Sequence, residues 1–203
     1  MEVAVHTTSQ SRTGRVLSPT RIILTGFMGA GKSTLGPRLA QRLGWTFIDL
    51  DDEIVRTEQQ SIAQIFDSIG EVRFRELEQN ALATTLRREN IVLALGGGAI
   101  ETAANRRRIQ QDDATLLLYL AAPLEVLIER CEQQQLHRNA VRRPILEKRA
   151  ELTERFQRRR PLYELADWTV ETTGKTLDEL LHIIMAQWNK ASWKLVHEQP
   201  KKA

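Results

Sequence analysis

The chain has 203 residues, 41% hydrophobic and 27% charged, a size and balance that suit one domain with a single core. Its net charge is only +3 despite a pI near 9.2, and aromatics make up 5%, which argues against a broad nucleic-acid face or a base-stacking platform. Cys131 is the single cysteine, so an intrachain disulfide and a thiolate-rich metal site are excluded and a reducing, cytoplasmic setting is expected. Residues 1–20 lack the apolar core of a secretory signal and read as a disordered tail. Apolar runs such as Ala114 to Pro123 are too short to cross a bilayer, so no membrane partner is expected.

From Arg21 onward, short β-like runs alternate with longer helical ones, the pattern of a parallel sheet flanked by helices. The first strand, Ile22 to Thr25, leads into Gly26-Phe27-Met28-Gly29-Ala30-Gly31-Lys32-Ser33-Thr34, which fits the phosphate-binding pattern GxxxxGK[ST] in its strand–loop–helix setting. Glycines let consecutive amides of Gly29, Ala30, Gly31 and Thr34 turn toward phosphates, and the following helix adds its partial positive charge. Lys32 reaches the transferable phosphate in this pattern, and Ser33 offers a hydroxyl to Mg²⁺. A helix with Leu35, Leu39 and Leu43 on one face follows, and Gly44 stops it.

The second strand, Thr46 to Leu50, carries Asp49 and Asp51 two apart, which places both on one face if the strand continues through them. Asp49 is then expected to hold Mg²⁺ through water, and Asp51 to bind an acceptor hydroxyl and take its proton. A plain acidic helix start accounts for Asp52 and Glu53 and is the alternative for the whole cluster. Residues 51–86 form a mostly helical insertion, with Ser61 as a helix cap. On it, Arg75 and Glu78 share a face, either as a carboxylate that fixes an anion-binding guanidinium or as an ordinary surface pair.

Ile91 to Leu95 is the third strand, and it ends in Gly96-Gly97-Gly98 where a Walker B strand would end in Asp. Glycines at a strand end suit close approach of a ligand, with a plain turn as the alternative. Arg106-Arg107-Arg108 reads as a solvated helix face. Thr115 to Leu120 is the fourth strand, and Pro123 opens the next helix. Residues 132–148 are polar, Gln- and Arg-rich and poorly periodic, and read as a mobile lid. Trp168 to Glu171 is the fifth strand; a last helix carries Leu177, Leu180, Leu181, Ile184 and Trp188, and residues 191–203 form a tail. Residues 21–190 thus make one domain.

Taken together, the phosphate loop, the DxD after the second strand, Gly-Glu-x-x-Phe-Arg-x-x-Glu, the triple glycine, Arg143-Pro144-Ile145-Leu146 and Arg159-Arg160-Pro161-Leu162-Tyr163 resemble shikimate kinase over Arg21 to Trp188. The resemblance implies the fold of P-loop nucleoside monophosphate kinases, with a five-stranded parallel sheet, a substrate-binding insertion and a lid. It implies ATP-dependent phosphorylation of the 3-hydroxyl of shikimate, a step toward chorismate and the aromatic amino acids, by a cytoplasmic monomer that binds no nucleic acid. It assigns Asp51 to the ring hydroxyls, Arg75 and Arg159 to the carboxylate, Gly97 to a backbone contact, Arg143 to the nucleotide phosphates from the lid, and Arg130 to adenine. Lys32, Asp51 and Arg143 are the catalytic set, and Ser33 and Asp49 hold Mg²⁺. Two departures bear on adenine: the stretch from Arg130 to Pro144 is long, so Arg138 competes with Arg130, and Thr173 to Leu177 contains no proline.

Overall fold

Buried aliphatic runs flanked by amphipathic helices dictate the architecture. The computed structural model describes residues 6–7, 19–138 and 149–191. Strands β1 (His6–Thr7), β2 (Arg21–Thr25), β3 (Thr46–Asp49), β4 (Ile91–Ala94), β5 (Thr115–Ala121) and β6 (Trp168–Glu171) lie in the order β1-β6-β5-β2-β4-β3. The pairings from β3 to β6 are parallel, so five strands form the expected parallel sheet. Beyond it, β1 adds an antiparallel edge to β6, with His6 opposite Thr169, so two residues of the expected tail pair with the sheet.

Each parallel crossover carries helix, in α1 (Lys32–Leu43), α2 (Leu50–Glu58), α3 (Ile62–Thr85), α4 (Ala103–Gln111), α5 (Leu124–Arg138) and α6 (Arg149–Tyr163), and α7 (Leu177–Lys190) follows the last strand. The central strands are apolar through their middles, with Ile22, Ile23, Leu24, Val92, Leu93 and Leu118 all fully buried, as strands covered on both faces require. Gly44 closes α1 in the left-handed conformation, and Ser61 opens α3 with a reciprocal capping box to Gln64, both as expected.

Local boundaries differ from the sequence expectation in three places. The strand at Thr46 ends at Asp49, because the Asp49 side chain accepts from the Asp51 amide and starts α2. Asp51 is therefore in the first turn of a helix, and the strand-face argument for pairing it with Asp49 does not hold. Inside the insertion, α3 is kinked at Gly70, whose φ of 74° and ψ of 173° lie outside the helical region. The expected lid is partly helical: residues 132–138 continue α5, whereas residues 139–148, with Arg142 and Arg143, lie outside the described residues. Among the described residues no helix is long and apolar enough to cross a membrane.

Candidate active site

Carboxyl ends of parallel strands are where ligands bind in such sheets, and β2, β3 and β4 end side by side. After β2 the phosphate loop turns into α1, whose N-cap is Gly31 at φ 93°. Gly29 is held at φ +75° against α5, where a Cβ would lie 2.5 Å from the Leu127 carbonyl oxygen and 3.0 Å from Cys131 Sγ. No side chain fits there, which explains the glycine by packing as well as by phosphate approach. Lys32 Nζ donates to the carbonyls of Gly26 at 2.7 Å and Phe27 at 3.1 Å. Burial pulls the Lys32 ammonium down to about 8, against the opposing charges of Asp49 and Asp51.

Ser33 and Asp49 meet as expected: the Ser33 hydroxyl donates to Asp49 Oδ2 at 2.9 Å, although the residues are far apart in sequence. An alcohol and a carboxylate oxygen beside a phosphate loop are the hard donors that Mg²⁺ takes when phosphate oxygens and waters complete its shell. Among the described residues no group of three or more His, Cys, Asp or Glu is assembled, so metal binding here requires that phosphate contribution.

Opposite the loop, Gly96, Gly97 and Gly98 are enclosed by the candidate acceptor residues. A Cβ on Gly96 would lie 2.5 Å from Asp51 Oδ1; one on Gly97, 3.5 Å from Arg159 Nη1; one on Gly98, 2.7 Å from Arg75 Nη2 and 3.0 Å from Arg159 Nη2. Gly96 and Gly98 thus give way to one carboxylate and two guanidinium groups, whereas Gly97 has room for a Cβ, so close packing and not a plain turn accounts for the outer two. Burial, reinforced by the Asp49 charge, pushes the Asp51 carboxyl up, and Lys32 pulls in the other direction.

Each guanidinium has its own carboxylate. Arg75 Nη1 donates to both oxygens of Glu78 at 3.0 and 3.1 Å, and Nη2 donates to Glu71 at 3.1 Å. Glu78 is only 1% exposed, so this is a buried clamp and not the surface pair that spacing alone allowed. Burial raises the Glu78 carboxyl to about 6, against Arg75. Arg159, at 8% exposure, is held by Glu101 on the 3-10 turn Ala99–Glu101 that follows the glycines.

Midway along α5, Arg130 donates from Nη1 to Thr172 Oγ1 and from Nη2 to the Thr172 carbonyl, both at 2.8 Å. It therefore sits against the residue that follows β6. The helix carries Arg138 two turns further on.

This geometry coincides with the comparisons. A sequence profile described as shikimate kinase matches residues 28–188. The chain belongs to the shikimate kinase family. The shikimate kinase of Persephonella marina is 36% identical over 167 residues, spanning 82% of this chain and 97% of that protein. That of Chlorobium chlorochromatii is 40% identical over 177 residues, spanning 80% and 89%. A structure of shikimate kinase from Acinetobacter baumannii in complex with shikimate superposes with a TM-score of 0.73 at 36% identity, covering 85% of this chain and 95% of that one.

Several contacts of the site were not legible from the motifs alone. Tyr163 stacks on Tyr119 and donates its hydroxyl to the Gly97 carbonyl at 2.7 Å, so the end of the Arg-Arg-Pro-Leu-Tyr motif anchors the glycine strand. Arg106 does not lie on a solvated face; its Nη1 donates to the carbonyls of Ile100 at 2.8 Å and Glu101 at 2.7 Å. Tyr163 closes a quoted motif and Arg106 opens an arginine run, but neither signal names a partner. Their partners are set by tertiary packing.

Proposed function

We propose that this chain transfers the γ-phosphoryl group of ATP to the 3-hydroxyl of shikimate, giving ADP and shikimate 3-phosphate for aromatic amino-acid biosynthesis. The observation that carries this is the convergence of Asp51, Arg75 and Arg159 on Gly96 to Gly98, across from Lys32. Two guanidinium groups with a carboxylate close by fit a small hydroxylated acid; they do not fit an apolar acceptor or a nucleobase.

In this reading the amides from Gly29 to Thr34 cradle the β- and γ-phosphates, and Lys32 exchanges its loop carbonyls for phosphate oxygens. Mg²⁺, held by Ser33 and by Asp49 through water, would supply charge neutralisation at the phosphates. Arg75 and Arg159 fix the acceptor through its carboxylate, the Gly97 amide adds a backbone contact, and Asp51 orients the attacking hydroxyl. The raised Asp51 carboxyl fits a proton acceptor, but a loose transition state needs orientation first and proton removal late. Arg130 supports the adenine side beside Thr172. Arg143, outside the described residues, is assigned to the phosphates from a lid over 132–148, whose closure excludes water and prevents ATP hydrolysis.

The enzyme is taken to act as a cytoplasmic monomer without nucleic acid. Bearing on nucleic acid, Arg106, Arg158 and Arg159 in two of its arginine clusters each donate to an intramolecular partner. An assay of ADP release with and without shikimate tests the activity. Asp51→Asn should abolish most turnover while ADP binding stays near wild type; unchanged turnover would remove Asp51 from the catalytic set.

A further inference from the structure

Arg159 lies next to Arg158 on α6, where Tyr163, one turn on, hydrogen-bonds with it. The carboxylate that both arginines share comes from outside that helix, from the 3-10 turn after the glycines. Glu101 Oε2 accepts from Arg159 Nε at 2.7 Å and lies 2.6 Å from its Nη2, while Glu101 Oε1 accepts from Arg158 Nε at 2.9 Å. A single carboxylate therefore bridges both arginines, 57 and 58 residues away in sequence.

The turn that carries Glu101 is itself fixed. Asn105 Nδ2 donates to the Ala99 carbonyl at 3.0 Å, and Arg106 Nη1 donates to the Ile100 and Glu101 carbonyls. The Arg159 side chain is 10% exposed, whereas that of Arg158 is 57% exposed, so the two bonds differ in consequence. The Arg158 bond is on the rim, where water competes; the Arg159 bond is shielded and sets the direction of the guanidinium. Nε and Nη2 are engaged by Glu101, and Nη1 is the nitrogen that a Cβ on Gly97 would meet at 3.5 Å, beside the Tyr163 hydroxyl. Burial pushes the Glu101 carboxyl up, but hydrogen bonds from Arg159 and then Arg158 outweigh it and hold it below its usual value, so Glu101 stays ionised at neutral pH.

We infer that Glu101 is a positioning residue for the acceptor site: it aims Arg159 Nη1 across Gly97 at the substrate carboxylate, as Glu78 does for Arg75. This rests on the proposed binding of the shikimate carboxylate by Arg159. Glu101 does not touch the acceptor and takes no part in phosphoryl transfer. Its effect should therefore appear in the KM for shikimate, and only through Arg159.

The test is a double-mutant cycle on full-length enzyme, with E101Q, R159A and the double variant assayed for both substrates. Gln keeps the shape of Glu101 but removes the charge, and a hydrogen bond to a charged group is worth about tenfold or more in an equilibrium constant. E101Q should raise the shikimate KM about tenfold, leave the ATP KM within about twofold, and add little to R159A in the double variant. An E101Q effect that adds in full to R159A, or a shikimate KM within about twofold of wild type, overturns the inference. If R159A itself leaves the shikimate KM unchanged, the carboxylate reading fails and Glu101 loses its role with it. If R159A behaves as expected and E101Q is silent, only the positioning role fails. E101D, which keeps the charge but draws it back by one methylene, is the second variant should E101Q not fold; it should raise the shikimate KM by about threefold, and no rise overturns the inference.

Discussion

Gly98→Ala isolates the acceptor site from the fold. Gly98 has φ −100° and ψ −11°, which alanine adopts freely, so the backbone tolerates the change. Its new Cβ would lie 2.7 and 2.9 Å from the terminal nitrogens of Arg75 and 3.0 Å from Arg159 Nη2. Ordinary contact begins near 3.4 Å, so the Arg75 guanidinium must withdraw by about 0.7 Å and Arg159 by less. Both are ends of flexible side chains, which move more readily than backbone. The cost falls on the substrate: charge-assisted hydrogen bonds are worth about 1.5–3 kcal/mol each, and displacing a positioning group by about 1 Å costs on the order of 10²-fold. The expected result is a fall of about 10²-fold in kcat/KM for shikimate, read by coupled ADP release, with ADP affinity and melting temperature near wild type. A kcat/KM within about threefold of wild type would show that the guanidinium groups do not face the substrate across Gly98.

Other outcomes follow from the same geometry. Gly29→Ala should fail differently, because its Cβ meets the Leu127 backbone at 2.5 Å and φ is +75°; a large drop in melting temperature and lost nucleotide binding are expected, and retention of both would refute the packing account. Glu78→Ala leaves Arg75 without its buried partner, and breaking such a pair costs about 3–5 kcal/mol, which denaturant unfolding should register; loss of less than about 1 kcal/mol would place the pair at the surface. Lys32 gives a pH signature: with its ammonium down to about 8, the free enzyme loses that charge as pH rises through this value, whereas phosphates favour the charged form. ADP affinity should thus be level below about pH 8 and weaken above it, and a flat profile to about pH 9.5 would contradict the lowered value. For stability the sign is the reverse, since unfolded Lys32 keeps its proton up to 10.5 and folding is relieved of a buried charge as pH rises between the two values. If Arg130, held by Thr172, has the adenine-side role proposed above, Arg130→Ala should raise the KM for ATP and leave that for shikimate unchanged; an unchanged KM for ATP would refute that role.

Much of this was legible in the sequence because it depends on local order. The phosphate loop, the five strands, the Gly44 stop and the Ser61 cap follow from residues a few positions apart. The placement of Asp51 was not, because a strand and a helix start compete over Asp49 and Leu50, and the hydrogen bond from the Asp51 amide to Asp49 settles it for the helix. Arg75 with Glu78 showed the ambiguity of spacing: positions three apart share a face whether buried or exposed, and only the packing of α3 against the glycine turn decides. The contacts of Glu101, Arg106 and Tyr163 were invisible for a stronger reason. Their partners lie across the site or across a turn, and no periodicity encodes which arginine meets which carboxylate.

The central claim is that the residues around Gly96 to Gly98 select shikimate as acceptor. The direct measurement is ATP-to-ADP turnover by the purified enzyme with shikimate, gluconate, AMP and CMP side by side, with the phosphorylated product identified by mass. The account predicts saturable ADP release with shikimate, a product bearing one phosphate on the 3-hydroxyl, and background rates with the other three. Turnover that is no faster with shikimate than with gluconate or a nucleoside monophosphate would contradict it.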